Sequence, residues 1–285
     1  MDKLETIPSE KWPLLRELYE RDWPQNVLPY YLLDNIIRWN GIDSKFVSEN
    51  IEVKCLNGDF TDGTFYFLQD NDLFFYSLEN GDKKKLARLL ELVIGTRDFF
   101  WTNYTYKRDL QTLDKVVELK SWTKTFVEST KFYFMPREKA LSLDTSLSIP
   151  ENFSVKPLSN KDLEFAHSLY PYRDEVTLQF FQMLHKFNKN LGLYKSDNLL
   201  SWCLLHQPNS FTALQTHDTF QRKGFGTIVL RNLAKSLATE GKDSFAIIVD
   251  GNEKSSQLFT KEGFDCIDEV YNIKIEPKID KIKKK

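Results

Sequence analysis

Gln221-Arg222-Lys223-Gly224-Phe225-Gly226 is the stretch whose residue types and spacing point most directly to chemistry. Glycines let a backbone turn tightly and bring its amides close to a ligand, and Arg222 and Lys223 set positive charge beside them. If a helix starts here, its unpaired N–H groups and the positive end of its dipole face the same way. Together these features hold an anion, above all a phosphate. Two familiar phosphate loops do not fit. The dinucleotide fingerprint needs a third glycine where Val229 stands. The nucleoside-triphosphate loop needs Ser or Thr after Gly-Lys, and Gly241-Lys242 is followed by Asp243.

The flanking segments supply the frame. Ser210 to Thr216 is rich in β-branched and apolar residues and reads as a strand. Ile228, Leu230, Leu233, Ala234 and Leu237 recur at helical spacing, and Gly241 stops the pattern as a C-cap does. A further strand is expected over Ser244 to Asp250. Asp250-Gly251-Asn252 then forms a turn and helix cap, and Gly263-Phe264 ends that helix. The order is strand, basic glycine turn, helix, strand, capped helix.

The loop pattern (Gln or Arg)-x-x-Gly-x-(Gly or Ala) resembles that of the GCN5-related N-acetyltransferase (GNAT) superfamily, whose loop holds the pyrophosphate of coenzyme A. Asn252-Glu253-Lys254-Ser255-Ser256-Gln257-Leu258-Phe259, with Gly263-Phe264 behind it, resembles the superfamily's second signature. Leu191-Gly192-Leu193-Tyr194, Leu200-Ser201-Trp202 and Ala213-Leu214-Gln215-Thr216 are similar to the glycine N-acyltransferase-like branch. The close resemblance covers roughly the last third of the chain. It implies an acyl-CoA-dependent N-acyltransferase with a small-molecule amine acceptor and no metal. The donor would lie along Leu214, Gln215 and Thr216, with its pyrophosphate on Gln221, Arg222, Lys223, Gly224, Phe225, Gly226 and Thr227, and with Asn252 and Phe259 beside the pantetheine arm. The strand at Leu214 to Thr216 would part from Phe245 to Val249 to admit that arm, freeing an amide as oxyanion donor. No nucleophile–base pair for a covalent intermediate is visible, so direct attack in a ternary complex is expected.

The proton-transfer groups depart from the family. Its glutamate two residues before the loop is Thr219 here, and its tyrosine acid is Phe259. A hydroxyl is no base near neutral pH, whereas an imidazole titrates in the useful range, so His217 or Asp218 is the candidate base. Tyr271, Ser256 and Cys203 are substitute proton donors. A carboxylate on the acceptor would want a bidentate arginine, which makes Arg173, beside Tyr172, the candidate. Trp202 joins them as a substrate contact implied by the Ser-Trp step, with core packing as its plainer role.

The rest of the chain bounds this reading. A net charge of −2 offers no basic field for nucleic acid or membrane. Cys55, Cys203 and Cys266 are too scattered for a metal site or a disulfide framework. The amino-terminal stretch has neither an apolar signal core nor an arginine-rich transit pattern, so the expected setting is the cytoplasm, with a mitochondrial address left open. Oligomeric state is not readable.

The expected class is α/β of the α+β type: a GNAT fold with a mixed, mostly antiparallel sheet flanked by helices, present twice. A degenerate copy would occupy residues 1–145, a cofactor-binding copy 153–277 and a basic tail 278–285, with a linker over Glu138 to Asn152. The first copy is expected to carry helices over Glu10 to Arg21 and Leu28 to Arg38. Strand-like runs and two further helices follow, without a basic glycine turn. Its role is structural, unless Phe65, Phe67, Phe74, Phe75, Phe99 and Phe100 form an exposed docking face for another protein. The remaining alternative is a relative that binds CoA without turning it over.

Overall fold

Lys84–Val93 (α4) shows how the pattern becomes structure: Leu86, Leu89, Leu90 and Val93 fall on one stripe, and all of them are buried. The computed structural model describes residues 2–145 and 152–278; residues 146–151 of the expected linker and the tail beyond Lys278 lie outside the described residues. Two compact units are present: Met1–Lys131 with the stretch that begins at Asp268, and Phe132–Ile267.

The first unit runs β1 (Leu4–Thr6), α1 (Trp12–Glu17), α2 (Val27–Ile42), α3 (Ser44–Asn50), β2 (Ile51–Leu56), β3 (Phe65–Gln69) and β4 (Asp72–Tyr76) up to α4. Then come β5 (Phe100–Tyr106), α5 (Leu110–Leu119) and the first part of β6 (Trp122–Met135). Strands β1 to β4 form an antiparallel meander, and β4 and β5 are parallel. Leu68, Phe75, Leu89, Phe100, Leu113 and Trp122 share its core with Ile273 and Ile275.

The second unit continues with α6 (Arg137–Leu141), β7 (Phe153–Lys156), α7 (Asn160–Ser168), α8 (Thr177–Phe187), β8 (Asn190–Lys195), β9 (Asn198–Leu205) and β10 (Phe211–Thr216). It ends with α9 (Phe225–Thr239), β11 (Ser244–Val249), α10 (Glu253–Lys261) and the start of β12 (Asp265–Pro277). Here β7 to β10 are antiparallel and β10 and β11 parallel, the same sequence of pairings as in the first unit. The sheets are mixed and mostly antiparallel, as expected.

Three features differ from the expectation. The helix Arg137–Leu141 overlaps the start of the stretch read as linker, and β1 and α3 carried no signal strong enough to be read. Strand β6 begins at Trp122, although only Thr130 to Met135 reads as a strand from the sequence, since its first half is mostly exposed and shows no alternation. Most consequential, the chain does not divide at 145 and 153. Strand β12 leaves the second unit after Ile267 and pairs with β5, Val270 opposite Tyr106 and Ile275 opposite Phe100. Thr130 Oγ1 donates to the Val270 carbonyl at 2.6 Å and Asn272 Nδ2 to Glu128 at 3.0 Å, which ties β12 to β6 inside the first unit.

The aromatic docking face is also corrected. Phe65, Phe67, Phe74, Phe75 and Phe100 are all buried, because both faces of this sheet are covered. Phe99 is half-buried with the Lys274 ammonium 5.0 Å from its ring.

Candidate active site

Helix α9 buries Val229, Leu230, Leu233, Ala234, Leu237 and Ala238 against the sheet. Its end is closed by Gly241, at φ 81°, through bonds from Gly241 N to Ala238 O at 2.9 Å and Lys242 N to Leu237 O at 3.0 Å. The start is built differently. Gly224 is its N-cap at φ 80°, with no side chain capping the amides. A Cβ at Gly224 would meet nothing within 4 Å, so glycine is needed for conformation and not for space. The first helical bond is Ile228 N to Gly224 O at 3.2 Å, so the amides of Phe225, Gly226 and Thr227 lie outside the helical ladder. Arg222, at φ 61°, helps turn the loop just ahead of those amides, and both it and Lys223 are exposed.

The strand before the loop is irregular. Phe211 and Thr212 pair with Leu205 and Leu204 of β9, and Gln215 and Thr216 with Trp202 and Ser201. Ala213 and Leu214 are passed over, with Ala213 at φ 48°. This bulge turns the backbone of one β10 segment out of the ladder. On the other side, β10 meets β11 in register only at Phe211 and Ala246. Residues 212–216 and 247–249 therefore run on without shared register. Leu214, Gln215 and Thr216 lie on this parted segment. A Cβ at Gly226 would sit 3.5 Å from Thr216 Oγ1 and 3.9 Å from Leu258 of α10, which brings loop, strand and helix together.

His217 ends β10 with its amide bonded to Leu200 O at 2.8 Å. Its ring stacks on Phe165 at 5.9 Å with planes 7° apart and tilts against Phe220 at 5.6 Å. Nδ1 accepts the Thr219 amide at 3.4 Å and lies 2.9 Å from Thr219 Oγ1. A nitrogen that accepts an amide proton carries none, so in this state neutral His217 keeps its proton on Nε2. Asp218 is exposed and accepts Gln221 Nε2 at 2.8 Å. Lys223 extends over the Phe220 ring at 5.5 Å.

The other expected residues fall in three places. Asn252 caps α10 by accepting the Ser255 amide at 3.2 Å. Phe259 is 3% exposed and packs on Phe264 at 4.9 Å and Phe211 at 6.0 Å, so its ring is a core element beneath the parted strands. Trp202 is fully buried among Leu158, Leu163, Phe181 and Tyr194. Arg173 Nη1 is 3.4 Å from Tyr170 O, Tyr172 is exposed beside Tyr170, and Gln215 Nε2 donates to Leu169 O at 2.8 Å. Tyr271 lies on β12. It belongs to the first unit, opposite Thr105, where burial and its bond to Glu269 raise its phenol above the usual range.

Cys203 is buried with its thiol on Thr212 O at 3.4 Å, and desolvation raises it far above the thiol range, so it holds no thiolate for covalent catalysis. Among the described residues no group of three or more His, Cys, Asp or Glu gathers to hold a metal, and no helix is long and apolar enough to cross a membrane. Sequence reasoning missed Ala213, whose left-handed backbone has no signature when the residue is not glycine. It also missed Phe165, which sets the plane of His217 from a helix more than 50 positions away.

Comparison with known proteins agrees with this arrangement. The model of the FR47-like protein family matches residues 190–273, which hold the parted strands and the loop. No curated protein matches the chain significantly. Among solved structures, a Drosophila protein superposes with a TM-score of 0.85 at 21% identity, covering 97% of this chain and 99% of that one. A tandem GNAT protein from the clavulanic acid biosynthesis pathway gives 0.58 at 9% identity over 97% and 98% of the two chains. A GNAT-family acetyltransferase from Colwellia psychrerythraea gives 0.51 at 14% identity over 96% and 100%. At such identities the likeness speaks for the fold, and the fold it identifies is the GNAT fold, carried twice along the chain.

Proposed function

We propose that the second unit moves an acyl group from acyl-CoA to a primary amine, with an amino acid such as glycine as the favoured acceptor, in the cytoplasm. The observation that carries this reading is the opening of β10 from β11 after Phe211, next to the uncapped start of α9. Amides of residues 225–227, with Arg222 and Lys223, suit a pyrophosphate. The parted strands suit a pantetheine arm that pairs like an added strand, and the bulge at Ala213 and Leu214 supplies an amide for the oxyanion.

The step follows direct attack. The amine nitrogen bonds to the thioester carbonyl carbon, the C–S bond breaks, and the thiolate leaves with the bonding pair. The ammonium proton passes to His217 or Asp218 through water. For His217 to accept it, Nδ1 must donate to Thr219 Oγ1, 2.9 Å away, and free the Nε2 lone pair. Thr219 then orients the base instead of acting as one. The thiolate is a fair leaving group and takes its proton from solvent, so Phe259 is no obstacle. The Arg173 guanidinium would hold an acceptor carboxylate.

Two features favour a second reading, binding without turnover: the amide of Thr219 occupies His217 Nδ1, and Phe259 lacks a hydroxyl and is buried. Calorimetry with CoA and acetyl-CoA, followed by thiol release with a panel of amines and amino acids, decides. Binding with amine-dependent thiol release supports transfer. Binding without release leaves the silent reading, and no heat with any CoA species ends both.

A further inference from the structure

The first unit has its own counterpart of the phosphate loop. Ser77 to Lys83 joins β4 to α4, just as 217–224 joins β10 to α9, and in both units the strands flanking that helix are parallel neighbours. Yet the two loops carry opposite charge. Where the second unit has Arg222 and Lys223, the first has Glu79 and Asp82. Lys83 does not offset them, since its ammonium is buried against Asp109.

Glu79 turns back onto the start of α4. Its Oε1 accepts the Lys85 amide at 3.0 Å and its Oε2 the Leu86 amide at 2.9 Å. Ser77 Oγ donates to Oε2 at 3.3 Å and accepts the Glu79 amide at 3.1 Å, which fixes the carboxylate. Two of the opening amides of α4 are thus satisfied by an anion the chain carries itself, whereas α9 has no side-chain cap. Strands β4 and β5 also lose shared register, but here buried rings follow. The register pairs of β4 and β5 are Asp72 with Trp101 and Leu73 with Thr102. Beyond them Phe74 meets Tyr104 at 6.0 Å and Tyr76 meets Tyr106 at 5.9 Å, edge to face and buried. Buried aromatic rings thus line the segment that corresponds to the parted stretch of the second unit.

We propose that Glu79 is a built-in substitute for phosphate, and that with the tyrosine plug it keeps the first unit closed to the acyl donor, so that each chain binds one donor. The stoichiometry rests on the reading of the second unit given above; the role of Glu79 does not. Calorimetry on the full chain with CoA should give one site, and Gly226→Val should remove all of the heat. Two sites, or undiminished binding in Gly226→Val, overturn the proposal, while the absence of heat in the wild type defeats the functional reading alone. Thermal melts at matched ionic strength, in sodium phosphate and in sodium chloride, then isolate Glu79. Glu79→Ala and Glu79→Gln should melt below the wild type. Phosphate should recover at least half of the loss in Glu79→Ala, over and above any shift that the loop at α9 gives the wild type. An equal phosphate shift in all three proteins overturns the proposal.

Discussion

Phe211 and Ala246 face each other across β10 and β11, and past that pair the two strands no longer share a register. The bulge at Ala213 sits two residues further along β10, so the strand gives up its regular pairing to β9 and its pairing to β11 over the same short segment. Backbone left out of two ladders is costly unless water or a ligand pairs with it. The second unit gives up ladder pairing here, which water or a ligand would have to make good.

Ala213, at φ 48°, holds a conformation that costs an ordinary residue about 1–2 kcal/mol. Replacing it with glycine should stabilise the folded chain by about 0.5–1 kcal/mol in urea denaturation, while Ala213→Val should destabilise it by about 1–2 kcal/mol. If the valine variant is as stable as the wild type, the bulge is not under the constraint described.

The two roles of Asn252 can be separated. Asn252→Ala should cost about 1 kcal/mol through loss of the cap to Ser255. Asn252→Ser should restore stability, because a serine hydroxyl caps as well. Donor affinity should fall in both variants if the amide nitrogen also reaches the pantetheine. Unchanged affinity in Asn252→Ser would reduce this residue to a cap.

Glu262 is buried and its partner is Arg231, whose Nη1 also donates to Asp144 O at 3.3 Å. Arg231→Ala should strand a buried carboxylate and destabilise the chain by about 3–5 kcal/mol. Arg231→Ala combined with Glu262→Gln should recover part of that loss. Equal losses in the single and double variants would show that packing, and not the charge, is at stake.

His206 is half-buried, and desolvation of its imidazole pulls it down to about 3. A depressed folded value means that the stability is present above the unfolded value near ~6.5 and is lost as pH falls toward about 3. Between pH 7 and pH 5 this group alone should remove about 2 kcal/mol, because only the unfolded chain takes up the proton. Denaturation curves at the two pH values should differ less in His206→Asn than in the wild type. An equal difference would place the acid sensitivity elsewhere.

The second unit was the more legible one, for reasons that lie in particular residues. Gly224, Gly241, Asn252 and Gly263 punctuate it, and Leu230, Leu233 and Leu237 repeat at helical spacing, so the strand, loop and helix order could be read to within a residue or two. The geometry of a left-handed alanine had no such mark. Nor did the depth of Phe259, because a phenylalanine reads alike at a site and in a core. The partner of β12 was illegible for a different reason. Tyr271 and Ile273 alternate as they would in any half-buried strand, and backbone pairing leaves no trace of which neighbour is chosen.

The route of β12 bears on how the protein is made. Residues 2–131 leave the ribosome long before Ile273 and Ile275, which complete their core, have been translated. The earlier half must therefore wait, with β5 lacking an edge partner, until nearly all of the later half has emerged. Vectorial synthesis thus reverses the order of completion: the segment born first is the last to be finished, and a nascent chain stalled near residue 267 would expose the amino-terminal sheet, not the carboxy-terminal one, to chaperones.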